Sequence, residues 1–205
     1  EELLAELDAD AETQRIARDL HDNGLAVFDF PDPDFDQIAD RIIADLNPKY
    51  DWEPWNERRE SIRLMDEWQH HDGVHCLAIN ATVMALLQSL YGRRPIPFQT
   101  LNFPVGTQQA HHSDCIHFHC TPQRFMCGVW LAFEDLDADN GPLSYFPGSH
   151  RWPVYTHEHM GCYAPGDQLL YEQVWRALVA KHGLQEQQVR LRKGQGVIWA
   201  ANLLH

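Results

Sequence analysis

Basic residues are scarce. Sixteen Lys and Arg stand against 30 Asp and Glu, a formal net charge of -14. A surface this acidic repels nucleic-acid phosphates and anionic lipid, and no basic patch reverses it, so a nucleic-acid partner and a membrane surface are excluded. No Cys-x-x-Cys pair occurs among the cysteines at 76, 115, 120, 127 and 162, which removes a zinc knuckle and a dithiol motif. Free thiols in a reducing cytoplasm are the expected state. No apolar run approaches the roughly 18 residues of a membrane span. Residues Glu1 to Glu6 carry neither a positive n-region nor an apolar h-region, so no signal peptide is visible. A chain that opens on Glu is expected to lack earlier residues. No Gly-x-Ser-x-Gly elbow, no repeat and no strand–helix–strand rhythm are present.

What is present suits one globular domain of 205 residues: 44% of them are hydrophobic, with 7 Trp and 9 Phe. Leu3, Leu4, Leu7, Ala11, Ile16, Ala17 and Leu20 recur at near-helical spacing and predict an amphipathic helix over 3–20. Leu25 to Phe30 reads as a short strand stopped by Pro31 and Pro33. Helices are expected over about 35–46 and 77–90. Residues 48–74 read as loops with a short strand near 61–65, either a packed surface excursion or a wall of a substrate pocket. After residue 95 short apolar runs alternate with turn residues, at 97–103, 115–119, 125–134, 143–147, 187–191 and 196–200, broken by one helical stretch at 168–181. Many short strands with turns predict a sandwich or jelly roll, with the helices of residues 3–46 and 77–90 packed on its outer face. Residues 150–167 have no clean period and are expected to form a mobile flap.

Histidine is abundant, 13 in all, and the densest cluster is Gln108-Gln109-Ala110-His111-His112-Ser113-Asp114, followed by His117 and His119. On an extended backbone, residues i and i+2 share a face. His112 and Asp114 can therefore reach one metal ion while His111 faces away. With a distant histidine, such a pair is the ligand set of a 2-His-1-carboxylate site, which leaves positions open on non-haem Fe(II). His-x-Asp alone is also what a wet strand carries by chance. His117 and His119 read either as substrate-facing or as solvated and core histidines.

The second half of the chain resembles the phytanoyl-CoA dioxygenase family of Fe(II)- and 2-oxoglutarate-dependent oxygenases. The resemblance is carried by His112-Ser113-Asp114, by Val129 to Asp135 with Trp130, by Asn140-Gly141-Pro142-Leu143, by Phe146-Pro147-Gly148-Ser149-His150, and by Gly194-Gln195-Gly196-Val197-Ile198-Trp199 leading into Leu203-Leu204-His205. It implies an all-β core with flanking helices, a double-stranded β-helix. It implies His112, Asp114 and His205 as catalytic iron ligands, and Fe(II) and 2-oxoglutarate as cofactors. Trp130 matches a pocket-lining aromatic of the family and is otherwise a core Trp. Gln99 and Asn102 on the preceding strand face either the cofactor or solvent, and Ser113, between the ligands, completes the expected cofactor-binding set. The Pro-Gly-Ser-His block is expected to be chiefly a tight turn. Trp130 and Trp199 suit the walls of a site that excludes water.

The activity implied is hydroxylation of a small organic substrate by O2, with 2-oxoglutarate decarboxylated to succinate, in a monomer or homodimer. A carboxylate at 114 favours hydroxylation over halogenation. The acidic charge disfavours a CoA ester, which only an Arg patch at 58, 59 and 63 would offset. The family anchors 2-oxoglutarate with an Arg about ten residues beyond the distal histidine, so the chain is expected to continue past His205. Arg124, Arg151, Arg190 and Arg192 are the internal alternatives, none at the family's position. Two other readings stand beside this one: a Zn hydrolase or isomerase with the same ligands, and a non-catalytic jelly-roll binding protein.

Overall fold

The computed structural model describes residues 10–118, 120–162 and 168–205. Residues 3–9 of the expected first helix, His119 and residues 163–167 of the expected flap lie outside them. Helix α1 (Ala11–Asn23) begins at Asp10, whose carboxylate accepts the Thr13 N–H at 2.7 Å. It ends at Gly24, whose φ of 82° suits glycine and turns the chain into β1 (Leu25–Asp29). Helix α2 (Phe35–Leu46) buries Phe35, Ala39, Ile42 and Leu46, one stripe at helical spacing. Then come α3 (Glu53–Arg58), β2 (Leu64–Met65), α4 (Asp72–Ala78), α5 (Ala81–Tyr91) and β3 (Leu101–Asn102). The remainder holds β4 (Cys127–Leu131), β5 (Ser144–Tyr145), α6 (His157–Met160), α7 (Gln168–His182), β6 (Gln187–Gln188) and β7 (Gln195–Ala200).

The sheet that matters has the order β1-β7-β4, antiparallel throughout, with β7 in the middle. Cross-strand partners share a face. One face carries Ala26, Phe28, Ile198, Cys127 and Leu131 and packs with the stripes of α1, α2, α4 and α5. The other carries Leu25, Val27, Val197, Trp199, Gly128 and Trp130, and packs with Leu136, Val189, Leu191 and Leu203. Val197 and Ile198 are each 0% exposed, and complete burial of each contributes about 1.5–3 kcal/mol. A third cluster joins Ile116, Phe146, Trp152, Leu204 and the α7 residues Tyr171 and Trp175. The helices thus cover one face of the sheet, as their apolar stripes predict, and leave the Trp199 face for the site.

Several expectations need correction. The region after residue 95 is not an all-β body among the described residues, because three of its six apolar runs pair over two residues only. The runs at 97–103, 143–147 and 187–191 contract to β3, β5 and β6. Residues 115–118 are not a strand: the N–H groups of Ile116, His117 and Phe118 bond back to the carbonyls of Ser113 and Asp114, forming a 3-10 turn. The helix expected over 77–90 is two helices. Asn80 interrupts it and caps α5 by accepting the N–H groups of Thr82 and Val83 at 3.1 and 3.2 Å. Between 48 and 74 the loop reading missed α3, while the short strand is present as β2.

The 20-residue segment Asp72–Tyr91 has the length and mean hydropathy, 1.4, of a membrane span, though its longest uninterrupted apolar run is Val83 to Leu87. In this fold it is the pair α4 and α5, with Val74, Leu77, Val83 and Leu87 in the helix-side core. The described part of the expected flap is anchored. Trp152 is 8% exposed and stacks on Trp175 at 6.2 Å, and Tyr155 meets Trp175 edge-on. The reason is that Trp152 and Tyr155 supply the apolar surface that α7 needs to cover its own aromatic stripe.

His150 fastens this region to α1 through a 3.0 Å contact between its Nε2 and the His21 carbonyl. Burial holds its imidazole below the ordinary value, and the charges of Arg151, Arg124 and His21 add to this against the opposing His21 carbonyl. The unfolded chain therefore binds a proton here before the folded one does, so stability falls as pH drops through about 6.5. We expect the unfolding temperature to decline between pH 7.5 and 5.5, and His150→Gln to decline less over the same interval, as read by circular dichroism melts.

Candidate metal centre

Ser113, next to His112, is extended at φ -110° and ψ 139°, and Asp114 opens the 3-10 turn. The side chains of His112 and Asp114 therefore share a side although no strand is formed. The partner of this segment is the far end of the chain. The His112 N–H donates to the His205 carbonyl at 2.9 Å, and the His205 N–H donates back to the His112 carbonyl at 3.0 Å. That reciprocal exchange is the hydrogen-bonded pair of an antiparallel ladder. It brings residues 112 and 205 side by side, with β7 delivering the second through the turn at Ala201–Leu203.

Both imidazoles are oriented by their own backbone. His112 Nδ1 lies 3.0 Å from the Ala110 carbonyl, and His205 Nδ1 lies 3.0 Å from the Leu203 carbonyl. A carbonyl only accepts, so each Nδ1 carries the hydrogen and each Nε2 presents its lone pair. The two Nε2 atoms each stand 3.8 Å from Asp114 Oδ1. One potential ligand atom from each residue lies within 4.8 Å of the others. The three side chains are 11%, 16% and 7% exposed for His112, Asp114 and His205. Burial, and next the neighbouring His205, hold His112 below the ordinary imidazole value, which favours the neutral form that binds metal. Two imidazoles and one carboxylate converging on one point fit a divalent transition metal.

Three further residues hold this geometry. Trp199 Nε1 donates to Asp114 Oδ2 at 2.9 Å, and its ring lies 5.1 Å from that of His205. Tyr171 on α7, 2% exposed, accepts the Ser113 N–H at 2.9 Å and lies 3.4 Å from the Ser113 carbonyl. Burial pushes the Tyr171 phenol up to about 12, so it stays protonated. Ser149, fully buried, donates to the Phe146 carbonyl at 2.7 Å and accepts the Leu204 N–H at 2.9 Å. The Pro-Gly-Ser-His block is thus a turn, with Gly148 at φ 87°, and its serine pins the residue next to His205. Tyr171→Phe should cost about 1–3 kcal/mol by stranding the buried Ser113 N–H, and should also weaken metal binding. Denaturant titration and metal titration of the same variant check both.

The other expected site residues are placed as follows. His111 turns away, packing edge-on against Phe146 at 4.9 Å, with Nε2 3.7 Å from Glu186. His117 is exposed, its ring 5.4 Å from that of His112. Ser113 is fully buried, and both of its backbone polar groups meet Tyr171. Trp130 sits on the same sheet face as Trp199, one cross-strand pair further along. Asn102 is on β3 with its Oδ1 buried and unbonded, and Gln99 precedes it, half-buried. Arg124 donates to the Trp152 carbonyl, Arg151 to that of His21, and Arg190 and Arg192 are exposed. Tyr171 escaped the sequence reading. Of the apolar residues of α7, Leu169 and Leu170 are exposed, whereas Tyr171 and Trp175, four apart, form its buried edge.

The profile of the phytanoyl-CoA dioxygenase (PhyH) family matches residues 2–205. Among curated proteins, Phytanoyl-CoA dioxygenase domain-containing protein 1 of Bos taurus is 32% identical over 83 residues, covering 38% of this chain and 28% of that protein. The Mus musculus protein is 31% identical over 85 residues, covering 39% and 29%. The matched stretch thus spans less than a third of either relative's length. Among solved structures, the non-heme alpha ketoglutarate dependent carbocyclase SnoK from nogalamycin biosynthesis superposes with a TM-score of 0.70 at 16% identity, covering 96% of this chain and 76% of that one. EctD from S. alaskensis with bound Fe gives 0.68 at 20% identity, covering 96% and 70%. These likenesses show the fold, that of the double-stranded β-helix oxygenases.

Proposed function

The chain belongs to the phytanoyl-CoA dioxygenase family, and from that premise we propose that it is a non-haem Fe(II)- and 2-oxoglutarate-dependent dioxygenase that hydroxylates a small organic substrate. The observation that carries this reading is the convergence of His112 Nε2, Asp114 Oδ1 and His205 Nε2, with both Nδ1 atoms tied to carbonyls. The iron, when bound by these three, supplies an oxidant generated from O2 as 2-oxoglutarate is converted to succinate and CO2. The chain's own residues do the rest. His112, Asp114 and His205 would hold the ion. Trp199 and Trp130, on one sheet face, wall the site against water. Asn102, with its unbonded buried oxygen, and Gln99 are the polar residues we place toward 2-oxoglutarate, and the exposed His117 toward substrate.

Related structures carry different chemistries under one fold: a carbocyclase, an epimerase, and an EctD complex holding 2-oxoglutarate and 5-hydroxyectoine. Hydroxylation is favoured over halogenation here because position 114 is a carboxylate that fills the third ligand position. The test is anaerobic addition of Fe(II) and then 2-oxoglutarate to the purified protein. A metal-to-ligand absorption band is expected, followed by succinate release on exposure to air. A protein that gives no band but binds Zn and hydrolyses a substrate overturns the reading.

A further inference from the structure

A carboxylate ligand can meet a metal through one oxygen or through two, and the choice sets how many positions remain for other molecules. In this protein the two oxygens of Asp114 have different occupations. Oδ1 faces both histidine Nε2 atoms at 3.8 Å. Oδ2 accepts the indole N–H of Trp199 at 2.9 Å. The indole is a donor only, so it neither ligates nor exchanges roles with the carboxylate. Turning Oδ2 toward an ion would break this bond in a site where Asp114 is 16% exposed and water replaces the lost donor poorly.

The seat of that indole is built into the adjacent strand. Gly128 is the cross-strand partner of Trp199. A Cβ on Gly128 would stand 2.0 Å from the indole Cζ2 and 2.1 Å from Cε2, so the ring lies in the space that any side chain at 128 would take. On its other side the ring meets His205 at 5.1 Å. One residue therefore touches two of the three ligands and is fixed by a glycine chosen for room.

We propose that Trp199, seated on Gly128, is a positioning residue that holds Asp114 to single-oxygen coordination and so preserves three free positions on the ion. This rests on the reading of His112, Asp114 and His205 as the iron site. Co(II) serves as a redox-stable probe, titrated into the metal-free protein under anaerobic conditions, with affinity and the visible d–d spectrum as readouts. Trp199→Phe removes the N–H and keeps an aromatic ring. Benzothienylalanine incorporated at position 199 keeps the whole bicyclic shape and removes only the N–H, which covers the case in which the Phe variant fails to fold. The expected result is an affinity loss of about 10–100-fold, the range for loss of an outer partner of a ligand. It comes with a changed d–d spectrum, as the second oxygen of Asp114 takes one of the three positions otherwise left to water. A benzothienylalanine protein with wild-type affinity and spectrum, alongside an Asp114→Ala protein that no longer holds Co(II), overturns the proposal and leaves the iron-site reading intact. An Asp114→Ala protein that binds Co(II) as tightly as wild type overturns the iron-site reading itself.

Discussion

Asp114→Ala and His112→Ala are each expected to abolish Fe(II) binding and 2-oxoglutarate turnover while leaving the fold in place. Each removes one of three converging ligand atoms, and a two-ligand site loses more affinity than the roughly 10–100-fold that follows loss of an outer partner. The fold survives because neither side chain belongs to the three apolar clusters that hold the sheet and α7 together. His111→Ala is the control: its ring faces Phe146 and Glu186, so metal binding should persist. Metal content after anaerobic reconstitution, with circular dichroism on the same samples, separates the outcomes. Iron retained by His112→Ala and lost by His111→Ala would place the ligand on the wrong residue.

Ser149→Ala is expected to cost about 1–3 kcal/mol, because it strands the buried Leu204 N–H and removes a hydroxyl that bridges two segments. For a chain of this size each kcal/mol lowers Tm by about 2–4 °C. The more telling effect lies at the site. Leu204 immediately precedes His205, and a slackened Leu204 lets the distal histidine wander from its place beside His112. The variant should thus lose metal affinity as well as stability, whereas Ser149→Cys, which retains a weak donor and acceptor, should lose less of both. A variant that loses stability yet binds metal as wild type would confine Ser149 to a structural role.

How much of this was legible beforehand depends on whether the cause was local. Phe35, Ile38, Ala39, Ile42 and Ile43, at near-helical spacing, predicted α2, although Ile43 is exposed and Leu46 is buried instead. The pairing of His112 with Asp114 followed from the alternation of an extended backbone, and it held even though Asp114 starts a turn. His205 came through resemblance, since nothing local connects residues 91 positions apart. The lengths of β3, β5 and β6 were overread: apolar runs of five to seven residues mark where a chain is buried, not how far a neighbour pairs with it. Tyr171 and the Trp199 indole were invisible as supports. Their partners, Ser113 and Asp114, lie 58 and 85 residues away, and only the fold brings them together.

The reciprocal backbone bonds between His112 and His205 bear on what the ion contributes to the molecule as a whole. Bringing together two points so far apart in sequence costs chain entropy that grows with the logarithm of the loop length. Here main-chain bonds and the buried Leu203 and Leu204 offset part of that cost through the protein's own groups. Chelation should remove only the mass-action stabilisation of a bound ligand and leave the helical and sheet signals unchanged. The amide hydrogens of His112 and His205, each closing half of the same pair, should exchange with solvent at matched rates, with or without the ion.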